Sequence, residues 1–479
     1  MKSALLLLFA LPVAFNAQAH GFEERYDLPV PLAYVIVGAC VMVLLTFVVA
    51  LVFVRRPASS SVTLGAPMPQ NPTIAPVASI PFGLSLSKPF SSLPLTWLAK
   101  GLSLLLFALT LASALWGTSD PLMNLAPTMV WIIWWVGLSF VVIVLGNIWP
   151  VLDPWRSSFE LLDTYAKKLG IQRGLALGWV WPARLGMWPA AVLLLVWCAL
   201  EVIYPLATSP FKLGCVAVGW TVVNLAGMAC FGREVWQGHA DLFAVYFSRL
   251  ARTFRPRPVG PDVVPVAPIA GHIAFILAML ATVLFDGLHG GSAWLVFEGA
   301  LKASIPQWLD VNGYIAGTLG LLSVWLTFLV AYLLTCQISA GTTSSAVSGS
   351  QFAKQMAPTL IPIAAAYLIA HNFSNLLIQG QTMVALLSDP LGRQWDVFGT
   401  AKFYPDISVV DAKLTWLVAV TSIVVGHVLS IWQAHRVALS WGLPTRRTAL
   451  ATLPLTVLMI AYTGISLMVI AAPMVNDVP

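Results

Sequence analysis

The stretch VPLAYVIVGACVMVLLTFVVALVFVRR, Val30–Arg56, decides the fold class. From Val30 to Val54 it carries no charge, and a helix rising 1.5 Å per residue over that length spans a hydrocarbon core of roughly 30 Å. The arginine pair at its end marks the cytoplasmic side under the positive-inside rule. Comparable runs recur near residues 95–116, 128–148, 178–204, 213–231, 267–286, 313–336, 357–379, 412–434 and 449–472. The 479-residue chain is 59% hydrophobic and 9% charged, with a mean hydropathy of +0.85, too apolar for a surface that faces water. The expected fold class is therefore all-α: a polytopic transmembrane helical bundle of about ten membrane-spanning helices.

Residues 1–19, MKSALLLLFALPVAFNAQA, combine a lysine, an apolar core and an Ala-Gln-Ala ending, the pattern of a cleavable signal peptide. Removal would leave His20 as the mature N-terminus, on the outer side, followed by a single polytopic membrane domain over 20–479. Residues 55–94 are rich in Ser and Pro and are predicted to be an irregular cytoplasmic linker. The net charge of +6 is what basic cytoplasmic loops such as the one holding Arg249, Arg252, Arg255 and Arg257 require, so no nucleic-acid partner is expected. Five cysteines in apolar runs without CxxC spacing argue for thiols within the membrane rather than disulfides or a zinc ribbon.

An ionisable side chain at membrane depth costs roughly 2.5–3.5 kcal/mol on insertion scales, so each needs a reason. In YLIAHNFSNLLIQGQ (Tyr367–Gln381), Tyr367, His371, Asn375 and Gln379 recur every fourth residue and form one polar stripe on a helix. GHVLSIWQAH gives a looser version with His427, Ser430 and His435, while LEVIYP holds Glu201 and VLFDGLHGG holds Asp286. His371, His427 and Asp286 are the expected ligands of a divalent metal ion, zinc or copper-type, with one position left for a water that the metal would ionise. His20, through its amine and ring, is a further candidate ligand. Glu201 and Asn375 would orient ligands or water. The alternative for these same histidines is hydrogen bonding between helices.

Several phrases carry a family likeness: AHGFEERYDLPVP at the signal junction, GNIWPVLDPWR (Gly146–Arg156), GREVWQGHADLFAVYFSRLAR (Gly232–Arg252), FDGL (Phe285–Leu288), AHNFSNLLIQGQ and GHVLSIWQAHRVAL. Over most of the mature chain the sequence resembles the bacterial integral-membrane fenitrothion hydrolases. The resemblance implies hydrolysis of a lipophilic organophosphate triester and a place in the bacterial inner membrane. It brings no assignment of site residues. The partners expected are the lipophilic substrate, membrane lipid, and a second copy or another membrane subunit. The competing readings are a copper-type metal permease or resistance protein, a membrane cytochrome with His371 and His427 on a haem, and a non-catalytic membrane subunit.

Overall fold

The computed structural model describes residues 26–53, 93–204, 209–255, 269–343 and 347–476. The signal peptide, His20 and nearly all of the linker lie outside them. In chain order the principal helices are α1 (Leu32–Phe53), α2 (Leu93–Trp116), α3 (Leu125–Leu145), α4 (Pro154–Lys168), α5 (Trp188–Ile203), α6 (Pro210–Phe231), α7 (Arg233–His239), α8 (Leu242–Leu250), α9 (His272–His289), α10 (Ser292–Ser304), α11 (Tyr314–Gly341), α12 (Ile361–Gln379), α13 (Ala412–Ser440) and α14 (Thr445–Met474). Strands are confined, among the described residues, to two two-residue pieces, β1 (Tyr26–Asp27) and β2 (Val475–Asn476), which pair in parallel. The protein is an all-α, multi-pass membrane protein.

Nine of the described helices are long and apolar enough to cross a membrane: α1, α2, α3, α6, α9, α11, α13, α14, and the segment Gly349–Ser388 that contains α12. The expected run 178–204 is helical only from Trp188, because Pro182 and the positive φ angles of Gly178 (73°) and Gly186 (46°) hold the preceding stretch in turns. What remains, α5, has eleven α-helical residues followed by five in a π-helix. A longer π-helical stretch, Thr128–Gly137, occupies the middle of α3. In both places the hydrogen bonds skip one residue further than in an α-helix, a widening often found at functional sites.

The interior is built on α12 and α13. Ile361–Leu368 of α12 are buried all round, which is why this helix reads as uniformly apolar there. A Cβ added at Gly426 of α13 would overlap the Ala366 methyl and come within 2.7 Å of the Pro362 carbonyl oxygen. The absence of a side chain at this one position lets the two backbones meet, as small residues do in membrane bundles. Around this pair stand α9, α14 and α1, with α11 packed behind them on α9 and α14.

A second packing centre is aromatic. The Trp134 ring of α3 lies 4.4 Å from Phe243 of α8, 5.8 Å from both Trp149 and Trp155, and 6.1 Å from Trp197 of α5. All but the tilted Trp134–Trp149 contact are edge-to-face, and such pairs add roughly 0.5–1.5 kcal/mol each beyond area burial. They fasten the short helices α4 and α8 to the membrane-crossing ones. All five cysteines are free thiols. Cys198 and Cys336 are buried, whereas Cys215 is exposed on α6.

Candidate functional site

Three helices bring ionisable groups to one place. Glu201 sits in the π-helical end of α5, Asp286 in the last turn of α9, and His371 with Asn372 on the face of α12 marked by Leu368. They line one cavity of ≈ 20 Å³, completed by Trp135 of α3 and by Cys198 and Thr282. That volume holds about one water molecule. His371 Nε2 lies 3.2 Å from Asp286 Oδ2, and the Trp135 side chain is a hydrogen-bond partner of Glu201. An indole carries only a donor, so Trp135 gives its N–H to the carboxyl.

The pair is not sealed. The His371 and Asp286 side chains keep 27% and 35% of their surface open, so the cavity meets the outside of the bundle. Its floor is tight. The His371 ring lies over that of Tyr367 at 6.2 Å and 27°, and the Tyr367 hydroxyl is buried without a hydrogen-bond partner among the described residues. Gly287, next to Asp286, leaves the room in which that hydroxyl lies, since any Cβ there would collide with it.

The other expected residues fall elsewhere. His427 does not line the cavity: its Nδ1 is 2.8 Å from the Ile423 carbonyl of its own helix, to which it donates, and its ring packs on Tyr462 of α14 at 5.9 Å. Its Nε2 is buried and has no partner among the described residues. Asn375 shares the His371 face one turn further along α12 but is exposed, and the asparagine at the cavity is Asn372. His20 lies outside the described residues. Among the described residues no three His, Cys, Asp or Glu side chains come together as a metal-ion site. Asn372, Trp135 and Cys198 were not singled out by the sequence reading. Asn372 follows from taking positions i, i+3 and i+4 from Leu368 as the inward face, whereas nothing in the sequence marks the π-helix that presents Trp135.

A second polar cluster lies outside the membrane-spanning helices. Asp153 caps α4, with Oδ1 accepting from the Trp155 and Arg156 amides at 2.9 and 3.0 Å, and Asp241 caps α8 through Phe243 and Ala244. Gln237 of α7 donates to Asp153 Oδ2 at 2.5 Å and accepts from Arg156 at 2.9 Å. Both carboxyls are fully buried. Burial first, and then the charge of Asp241, push Asp153 up to about 8, and burial likewise pushes Asp241 up to about 6. The two acids share protons through this cluster, and Asp153, raised further, keeps its proton to the higher pH.

This cluster predicts a pH dependence. An unfolded aspartate titrates near 3.9, so between about pH 4 and pH 8 the folded protein holds more protons than the unfolded chain. Stability then falls as pH rises through that window and levels off above it. In detergent, the unfolding temperature is expected to fall continuously from about pH 5 to about pH 8.5. Asp153→Asn and Asp241→Asn, whose amides still cap the helices, should flatten the drop; an unchanged slope in both would refute the shared proton.

Comparison of the chain with models of known protein families, with curated proteins and with solved structures returns no match.

Proposed function

We propose that this protein is a membrane-embedded hydrolase of lipophilic organophosphate triesters, with the Asp286–His371 pair as the base that activates water. The observation that carries the reading is this pair at 3.2 Å on a water-sized cavity shared with Glu201. Ionisable groups at membrane depth mark functional sites by default, and an imidazole oriented by a carboxylate is a recurrent general base. The sequence likeness described above supplies the substrate class. In this reading the chain resides in the bacterial inner membrane with its mature N-terminus on the outer side, supported by its signal-like leader and the placing of its basic residues.

Asp286 holds Nε2 of His371, which leaves Nδ1 to take a proton from the water. The new oxygen–phosphorus bond forms as the bond to the aryl oxygen breaks, and the electron pair departs with a nitrophenolate stable enough to need no strong acid. His371 then returns its proton to solvent. Glu201, held by Trp135, orients the water, and Asn372 faces it from α12. A neutral ester dissolved in the bilayer reaches the open side of the pair, while the cavity itself holds only the nucleophile.

A divalent metal, zinc or copper-type, would find one imidazole and one carboxylate at a single point here. Three protein ligands are usual in a catalytic zinc site, and His427 is turned away from this one. The proposed route runs through the side chains alone.

The test is nitrophenolate release from a neutral nitrophenyl phosphotriester by the purified protein in detergent, with elemental analysis of the same samples. Turnover supports the reading. A folded protein that releases no phenolate overturns it, and metal uptake into vesicles, or activity restored only by a co-expressed membrane subunit, would then identify the permease or the partner-dependent subunit.

A further inference from the structure

A groove of ≈ 840 Å³ opens between the start of α2 and the helix α4, far larger than the cavity at His371. Four cations line it, Lys100, Lys167, Arg173 and Arg233, against three carboxylates, Glu160, Asp163 and Glu234. Arg156 adds a fifth positive charge just behind. The carboxylates are already engaged. Glu160 takes Lys100 on one oxygen and Arg156 with Arg233 on the other, Asp163 takes Lys167 and the Leu175 amide, and Glu234 takes Arg156 and Arg233. Partial burial acts to raise Glu160, but the hydrogen bond from Lys100 and the charges of Lys100, Arg233 and Arg156 outweigh it and hold the carboxyl below its usual range.

Arg173, by contrast, is exposed and has no ion-pair partner among the described residues. The acids thus fix the cations in place and leave positive charge facing the groove. From this polar end the wall continues down α2 through Trp97, Gly101 and Leu104. Only 17% of the apolar window of that membrane-length helix is buried by protein. On α4 the side chains of Leu161, Leu162 and Tyr165 are 51, 49 and 63% exposed, the pattern of a helix lying at the membrane surface. Trp97 with Lys100 at 5.4 Å forms an interfacial anchor of the usual kind. The linker leading into α2 cannot neutralise the groove, because residues 54–92 contain Arg55, Arg56 and Lys88 and no acid.

We propose that this groove is a binding site for an anionic phospholipid, its phosphodiester held by Lys100, Arg173 and Arg233 and its acyl chain laid along Trp97 and Leu104 of α2. Charge at one end and an apolar, protein-free helix face at the other call for an amphiphile, and the leaflet beside a basic membrane-protein surface supplies anionic ones. The site is independent of the reaction proposed at His371.

Spin-labelled phosphatidylglycerol and phosphatidylcholine, compared on the full-length protein in nanodiscs, test it. Phosphatidylglycerol is expected to be retained several-fold better, and Arg173→Gln, which breaks no ion pair, should remove most of that preference. Trp97→Ala should weaken both lipids. Equal retention of the two lipids by the wild type, or a preference unaltered in Arg173→Gln, would overturn the proposal. Displacement by millimolar inorganic phosphate as effectively as by lipid would overturn it in favour of a soluble phosphate site.

Discussion

Replacing His371 by alanine is expected to lower kcat for triester hydrolysis by roughly 10²–10⁴-fold, the usual contribution of a positioned general base. Asp286→Asn should reach a loss of about 10²-fold or more, because the amide no longer fixes the ring in the tautomer that leaves Nδ1 able to accept a proton. Side chains that act as one unit are non-additive, so the double variant should be little slower than His371→Ala alone. His427→Gln is the informative contrast. Its ring donates to the Ile423 carbonyl and does not line the cavity, so activity should stay within a few-fold of wild type. Comparable losses in His371→Ala and His427→Gln, with metal lost from both, would restore the three-ligand metal centre and remove the side-chain base.

The largest structural effect is expected at Gly426. Leucine there has to occupy space now filled by the Ala366 methyl and the Pro362 carbonyl, and the carbonyl belongs to backbone that cannot rotate away. Overpacking typically costs about 1–3 kcal/mol and more where backbone must move. Gly426→Leu should therefore part α12 from α13, showing as a sharp fall in the yield of monodisperse protein and a lowered unfolding temperature in detergent. Gly426→Ala should show the same in milder form. An unfolding temperature equal to wild type in the leucine variant would mean that the two helices are not held by this crossing.

These two positions also show where sequence reading succeeds and stops. The bundle was legible because a bilayer demands long uncharged runs, and α1 or α13 could hardly be anything else. Asp286 and His371 were legible only as two of three expected metal ligands, with His427, because each stands out in an apolar helix. His427 has the same signal, yet its neighbour Gly426 is the residue that faces α12. One residue further, about 100° around the helix, the side chain points to Tyr462 of α14 instead. Hydrophobicity sets depth, but only packing sets that azimuth. The π-helical segments of α3 and α5 are equally silent in sequence, and so Trp135 went unseen although it holds Glu201. The break before α5 was written in Pro182 and its flanking glycines, where a continuous apolar count hid it.

The pairing of β1 with β2 has a further consequence. Hydrogen bonds between Tyr26–Asp27 and Val475–Asn476 put both ends of the described chain in one aqueous compartment. A path that returns to the compartment it left has crossed the barrier an even number of times. Among the described residues, nine long helices crossing once each would leave that count odd, and α5, an apolar helix whose 16 residues reach about 24 Å, is the one that can supply a tenth crossing. A bilayer thins or a helix's flanks stretch to meet such a short span. The same parity means that reporters inserted beside Tyr26 and beside Asn476 will face the same side of the membrane.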